Sequence, residues 1–323
     1  MIIDFEHHFT PREFMPKEVV DKTPKTQFDQ NGAPSYTLHS ILYDLDEHIR
    51  MMDVAGIDAA LLTSAAGMVS DIERCRKVND ATKKAEKDYP SRFIGCAHID
   101  PLGGAEHFKE LSRCFDELGF HGAIIASEVN DLFLDSPLYE PFWKEMARLG
   151  QFVFLHPALK LNDSRQFDGY DMSRSVGREF SLIMALIRMI NSGVFDRYPD
   201  LMVHISHLGG NVASLLGRIR MYQDKDYWGT AVSERHGRKA EQPFDYYLAR
   251  NFIYNTAGIG GAMKPLQAAL IELPADRIVF ATDYPQEVRD PENVRTFIEN
   301  IRALGPIGQG ILTDNIPLLI KNR

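Results

Sequence analysis

What most restricts this chain is its texture: short apolar runs of strand type alternate with longer amphipathic stretches from one end to the other. Alternation of this kind builds βα units around a parallel sheet, because each helix covers apolar surface that the strands present. Eight runs qualify, at 2–5, 59–63, 93–98, 122–126, 152–156, 202–206, 251–254 and 277–281. Eight strands close a (β/α)8 TIM barrel, so the expected fold is α/β, a single barrel domain over residues 1–323 with inserted loops over its C-terminal face. With 44% hydrophobic and 25% charged residues in 323, the chain can bury a core of that size.

The stretches between the strands read as helices at 43–55, 71–89, 105–118, 137–149, 177–191 and 211–222, with 262–270 and 291–303 supplying the last two. Gly56, Gly119 and Gly150 each follow a helical run and precede a strand, as expected of left-handed C-terminal caps. Three segments break the pattern, at 10–42, 158–176 and 223–243. Loops after barrel strands lie at the catalytic face, so these are expected to cover an active site. The first, with Phe14, Phe28 and Tyr36, would close over a flat substrate.

A net charge of -9 without a Lys/Arg cluster excludes a nucleic-acid footprint. No segment approaches the roughly 20 apolar residues that span a bilayer, and no basic leader precedes Ile2-Ile3-Asp4-Phe5. Cys75, Cys96 and Cys114 are odd in number and lack CxxC spacing, which suggests neither disulfides nor a thiolate metal site. A soluble, cytoplasmic protein is the expectation.

The chemistry-bearing residues stand where the strands end. Glu6 and His8 follow the first run, on one face by strand alternation, with His7 on the other. His156 closes Phe152-Val153-Phe154-Leu155, His207 follows Val203-His204-Ile205-Ser206, and Asp283 follows Ile278-Val279-Phe280-Ala281-Thr282. Carboxyl ends of barrel strands converge on one pocket, so four strands ending in Glu/His, His, His and Asp point to a metal centre. Imidazole and carboxylate suit one divalent ion, zinc first and manganese second, with a position left for water or substrate. Ala126-Ser127-Glu128 offers no lysine to bridge a second ion. His204 reads as a buried structural histidine and His98 as a possible pocket wall; Gly258-Ile259-Gly260-Gly261 reads as a loop entering a helix. Arg50 and Arg218 have the bidentate fork that binds carboxylates, but spacing alone favours a surface or helix-capping salt bridge for each.

Taken in order, Phe5-Glu6-His7-His8-Phe9, Arg50-Met51-Met52-Asp53-Val54-Ala55-Gly56-Ile57, Tyr89-Pro90-Ser91-Arg92-Phe93 and Phe154-Leu155-His156-Pro157 open a recognisable series. It continues through Gly193-Val194-Phe195-Asp196-Arg197-Tyr198-Pro199, His207-Leu208-Gly209-Gly210, Gly217-Arg218-Ile219 and Ala281-Thr282-Asp283-Tyr284-Pro285. The chain resembles, over nearly its whole length, the amidohydrolase-related family of aminocarboxymuconate semialdehyde, γ-resorcylate and 5-carboxyvanillate decarboxylases. The resemblance implies metal binding by Glu6, His8, His156 and Asp283, with His207 beside the metal as acid/base. It also implies substrate-carboxylate binding by Arg50 and Arg218, one of them across a dimer interface, and hence a homodimer or larger assembly. The semialdehyde enzyme begins His-x-His, whereas Glu6-His7-His8 follows the aromatic-acid decarboxylases. The expected reaction is therefore nonoxidative decarboxylation of a small hydroxylated aromatic or unsaturated carboxylic acid, with Asp283 or His207 managing the proton. A hydrolase of an amide, lactone or carbon-carbon bond, using metal-activated water, shares the ligand set and is the alternative.

Overall fold

A strand with helices against one face and barrel neighbours on the other has no solvent side, and so reads as unbroken apolar sequence. All eight apolar runs form such strands in the computed structural model, which describes residues 1–129, 131–223 and 240–320. They are β1 Ile3–His8, β2 Ala59–Thr63, β3 Phe93–Gly95 (resuming as Ala97–His98), β4 Ala123–Ala126, β5 Val153–His156, β6 Val203–Ile205, β7 Phe252–Asn255 and β8 Ile278–Val279. Each pairs in parallel with the next, from β1 to β8. Backbone bonds from Phe5 N to Phe280 O at 3.0 Å and Asp283 N to Glu6 O at 3.0 Å join the last strand to the first. That closure brings Asp283 beside Glu6, although they are 277 positions apart in the sequence.

Buried side chains such as Phe154, Leu155, Ile205, Ile253 and Phe280 fill the barrel and its contact with the surrounding helices. The helices begin and end as their sequences dictate. Asp71 accepts from Arg74 N at 2.9 Å and Asp290 from Glu292 N at 3.0 Å, each satisfying a first-turn donor. Gly56 and Gly150 cap Leu45–Ala55 and Glu140–Leu149 in the left-handed region, while Gly119 adopts it three residues after Ala105–Asp116 ends. The three cysteines are free and buried. Among the described residues no helix is long and apolar enough to cross a membrane.

Two expectations need correction. The 211–222 stretch does not start as a helix: His207 to Asn211 all have left-handed φ, between 52° and 71°, before a short 3-10 turn leads into Leu216–Gln223. The 10–42 segment, expected to close over a flat substrate with three aromatics, folds an antiparallel hairpin from Lys25–Phe28 and Pro34–Leu38 and turns only one of them inward. Ser35 Oγ donates to Leu159 O at 2.5 Å and Gln30 Nε2 to Leu161 O at 3.2 Å, so the hairpin is tied to the 158–176 segment after β5. Of its aromatics only Tyr36 is turned inward, 3% exposed; Phe28 is 58% exposed and Phe14 lies under the Arg74 guanidinium. Most of the 223–243 stretch, 224–239, lies outside the described residues.

Candidate active site

A bulge interrupts β1 between Asp4 and His7, so strict alternation does not hold there. Phe5 packs edge-on to the His204 ring, with centroids 5.8 Å apart, while the next residue, Glu6, places Oε1 3.4 Å from His156 Nε2. His7 turns the other way: Nδ1 lies 2.9 Å from Asp4 Oδ2 and Nε2 lies 3.0 Å from Nδ1 of His48, on the helix outside the barrel. Asp4 also accepts from Thr282 N at 2.9 Å, which ties the carboxyl end of the barrel seam to β1.

At the carboxyl ends of the strands, Glu6, His8, His156, His207 and Asp283 come together. Their exposures are 0%, 3%, 4%, 4% and 6%, so bulk water is excluded. His8 Nε2 is 2.6 Å from Asp283 Oδ1 and 4.0 Å from Glu6 Oε1; His207 Nε2 is 3.9 Å from Glu6 Oε1 and 4.0 Å from Asp283 Oδ2. Ions of the zinc type bind N and O ligands at about 2.1 Å, which sets ligand-to-ligand distances of roughly 3–4 Å. Glu6, His8, His156 and His207 keep that spacing, while His8 and Asp283 stand closer, at hydrogen-bonding distance. Glu6 Oε1 and His207 Nε2 are buried without hydrogen-bond partners, a costly arrangement that a cation shared with Asp283 would relieve.

Supporting contacts orient these groups. His156 Nδ1 donates to Pro157 O at 2.7 Å, leaving the Nε2 lone pair facing Glu6; burial, then the charges of His8 and His207, hold this imidazole well below its usual pKa and so neutral. His8 Nδ1 contacts Thr63 Oγ1 at 2.9 Å; burial opposes charge on His8, but Asp283 outweighs it and raises the pKa. Burial raises the Glu6 carboxyl. Asn255, at the end of β7, donates to Glu6 Oε2 at 2.8 Å, while its oxygen accepts from His207 N at 3.1 Å. His204 meets the same Asn255 amide at 3.0 Å and stacks on Phe154, and His98 accepts from Ser64 N at 2.8 Å; both are buried and pushed down to about 3.

His207 stands on the left-handed turn, a conformation costing about 1–2 kcal/mol per non-glycine residue. Gly258 is packed against its ring: a Cβ there would stand 2.2 Å from His207 Cγ. The loop 258–261 thus acts as a wall for the imidazole. Glu179 Oε1 lies 2.6 Å from His207 Nδ1. Burial works against charge on His207, but Glu179 and then Glu6 prevail and raise it to about 10. Glu287 is exposed as a residue, yet protein crowding its carboxyl and the neighbouring Asp283 charge push it up to about 7.

The two arginines singled out by sequence are not brought here. Arg50 is exposed and paired with Glu47; Arg218 is exposed, over the ring of Tyr222. Beside the ligand cluster stand two residues that the sequence did not single out, Arg178 and Glu179, and one that it did, Tyr36. Arg178 and Glu179 open the helix Arg178–Asn191, and Tyr36 from the hairpin packs 6.4 Å from the His8 ring. Cavities of about 520 Å³, beside Ser35 and Leu159, and about 540 Å³, beside Glu287 and Gly260, open on the hairpin side and on the Glu287 side.

The amidohydrolase family model matches residues 3–295. The chain belongs to the amidohydrolase family. Among its relatives, the γ-resorcylate decarboxylase of Rhizobium sp. (strain MTP-10005) is 32% identical over 268 residues, which are 77% of this chain and 79% of that one. A crystal structure of 2,6-dihydroxybenzoate decarboxylase complexed with 2,6-dihydroxybenzoate superimposes with TM-score 0.81 at 26% identity, covering 99% of both chains. A dihydroxybenzoic acid decarboxylase from Polaromonas sp. JS666, with bound manganese and the inhibitor 2-nitroresorcinol, gives TM-score 0.81 and 26% identity over 98% of this chain and 96% of that one. Within the amidohydrolase family, then, this chain and its barrel are similar to decarboxylases.

Proposed function

We propose that this chain is a metal-dependent nonoxidative decarboxylase of a small hydroxylated aromatic carboxylic acid. The observation that carries the reading is the convergence of Glu6 Oε1 and His207 Nε2, both buried and without hydrogen-bond partners, beside Asp283, His8 and His156. Decarboxylase relatives support it. Glu6, His8, His156 and Asp283 would hold one divalent ion. Manganese is placed ahead of zinc, because two carboxylates suit a harder ion and the Polaromonas relative binds manganese.

When bound, the metal supplies Lewis-acid charge withdrawal from the substrate's carboxylate and the oxygen beside it. The chain's own residues do the rest. Asp283 delivers a proton to the ring carbon that bears the carboxylate; the carbon-carbon bond then breaks, its electron pair restores the ring, and carbon dioxide leaves. His207, held by Glu179, is placed to return the proton to Asp283, and Glu287 links that pair to solvent. The hairpin bearing Tyr36 keeps water from the reacting carbon. Arg50 and Arg218, outside this chain's own site, would reach substrate only from a second copy, so a homodimer accompanies any such role.

Incubating the metal-loaded protein with hydroxybenzoates in deuterated water, with mass spectrometry of the products, tests the reading. Loss of carbon dioxide with one deuterium at the vacated carbon is expected. Turnover of esters or lactones with no acid decarboxylated would overturn it in favour of hydrolysis.

A further inference from the structure

The cavity of about 520 Å³ on the hairpin side has a wall that the mechanism leaves unused. It runs alongside the ligand cluster: Ala126 is level with His156 in the paired strands β4 and β5, Ala158 follows His156 by two residues, and Ser35 precedes Tyr36, whose ring meets His8. Small side chains at Ala65, Ala66, Ala126 and Ala158 leave room there for a substituted benzene ring. Among the described residues, four charged side chains stand at the wall. Asp71, Arg74 and Lys160 are exposed or half-buried, whereas Glu128 is 7% exposed. Asp71 is committed to its helix cap, and Arg74 to the oxygen of Ala66 and the ring of Phe14. Glu128 is held by a chain of donors. Ser181 gives its one proton to Glu128 Oε1 at 3.0 Å, so Ser127 Oγ is the donor to Ser181 at 2.5 Å, and Ser127 accepts from Ala158 N at 2.9 Å. Burial raises the pKa of this carboxyl, against the pull of Ser181 and the Asn162 backbone N–H.

A carboxylate has about four lone-pair sites, and a buried one is stabilised by each donor that reaches it. Ser181 and the Asn162 N–H leave acceptor capacity for a donor that arrives through the cavity. The kind of donor follows from the charges at the wall. Two cations, Arg74 and Lys160, balance two anions, Asp71 and Glu128, so a neutral hydroxyl is favoured over a second charged group on the ligand. Its place on the ligand follows from the strand. Ala126 is level with the proposed metal ligand His156, and Glu128 stands two residues further on, at most about 7 Å along the chain. A ring whose carboxylate is held at the metal therefore turns its far edge to Glu128. We propose that Glu128 is a specificity-determining residue that accepts a hydrogen bond from a hydroxyl on the ring edge away from the carboxylate to be lost, and so selects acids with a distal as well as an adjacent hydroxyl. The orientation of the ring rests on the decarboxylase reading; the preference for a donor in this cavity does not.

The test uses paired nitrophenols in calorimetric titrations of the metal-loaded protein, with a nitro group in place of the carboxylate so that nothing leaves as carbon dioxide. 4-Nitroresorcinol is paired with 5-methoxy-2-nitrophenol, and nitrohydroquinone with 4-methoxy-2-nitrophenol. Within each pair a methoxy group, which cannot donate, replaces the distal hydroxyl. A charge-assisted hydrogen bond is worth about 10-fold or more in affinity. In at least one pair the wild type should favour the hydroxyl by that factor. E128Q, its folding checked by thermal melts, should lose most of the preference while binding the methoxy compound within a few-fold of the wild type. E128D, which keeps the charge but sets it back by one methylene, should lose part of it. No preference in either pair, or a preference that E128Q leaves unchanged, would overturn the proposal. So would equal weakening of both members of a pair, which would reduce Glu128 to a tether for Ser181 and its helix. Failure of the decarboxylase reading looks different: no acid is decarboxylated, yet the preference for the hydroxyl still depends on Glu128.

Discussion

Glu179 Oε1 and His207 Nδ1 are 2.6 Å apart, a contact between the first turn of one helix and the loop after β6. It fixes which nitrogen of His207 faces the metal ligands, since Nδ1 is committed and Nε2 is left pointing at Glu6 and Asp283. In metal-free protein the pairing raises His207 from 6.5 to about 10. A raised folded-state pKa contributes stability that is present in full below about pH 6.5 and is lost as pH rises through about 10. Thermal melts of the metal-free protein should show this decline between neutral and strongly alkaline pH. Glu179→Gln should flatten the decline, and parallel profiles for the two proteins would refute the coupling.

Asp283 has the left-handed φ of 57° and sits 2.6 Å from His8, placed both to hold metal and to hand over a proton. Asp283→Asn keeps the shape and one oxygen donor but removes the acid. Turnover should fall by about 10²–10⁴-fold, the usual worth of general acid catalysis, while part of the metal remains by elemental analysis. Unchanged turnover would remove Asp283 from the proton path.

Much of this site was legible because barrel geometry converts strand ends into neighbours. Glu6, His8, His156, His207 and Asp283 needed only the correct ends of four strands and the closure of β8 on β1. Glu179 and Arg178 were not legible, since they look like the polar start of an amphipathic helix and reach the site only because that helix begins over the barrel mouth. Asn255 fell one residue past the expected end of its strand, where the strand-end argument would have found it. The bulge in β1 was invisible to an alternation rule that assumes an even pleat, although the rule still placed His7 away from Glu6 and His8. Arg50 and Arg218 carry carboxylate-binding chemistry, but both are exposed and neither stands at this chain's own site.

Asn255 is the residue on which the ligand arrangement leans, for it bonds Glu6, His204 and the His207 backbone at once. Removing a group that orients a ligand typically costs about 10–100-fold in metal affinity. Asn255→Ala should show that loss in competition with a chelator, with the melting profile of the metal-free protein measured alongside to separate ligand support from folding. Metal affinity equal to the wild type would mean that Glu6 needs no such partner.

Gly258 and Gly260 separate backbone strain from contact with His207. Both have positive φ, 74° and 57°, so alanine strains either backbone, but at Gly260 a Cβ meets open space whereas at Gly258 it meets the His207 ring at 2.2 Å. Gly260→Ala should therefore cost some stability and little activity. Gly258→Ala must push His207 off its position between Glu179 and the ligand cluster, for the three atoms nearest the new methyl all belong to the His207 ring. Its metal content should stay near that of the wild type and its kcat should fall by about 10²-fold or more, in line with the loss of an acid/base group. Equal activity in the two variants would show that the exact seat of His207 does not matter, and would take the proton-returning role away from it.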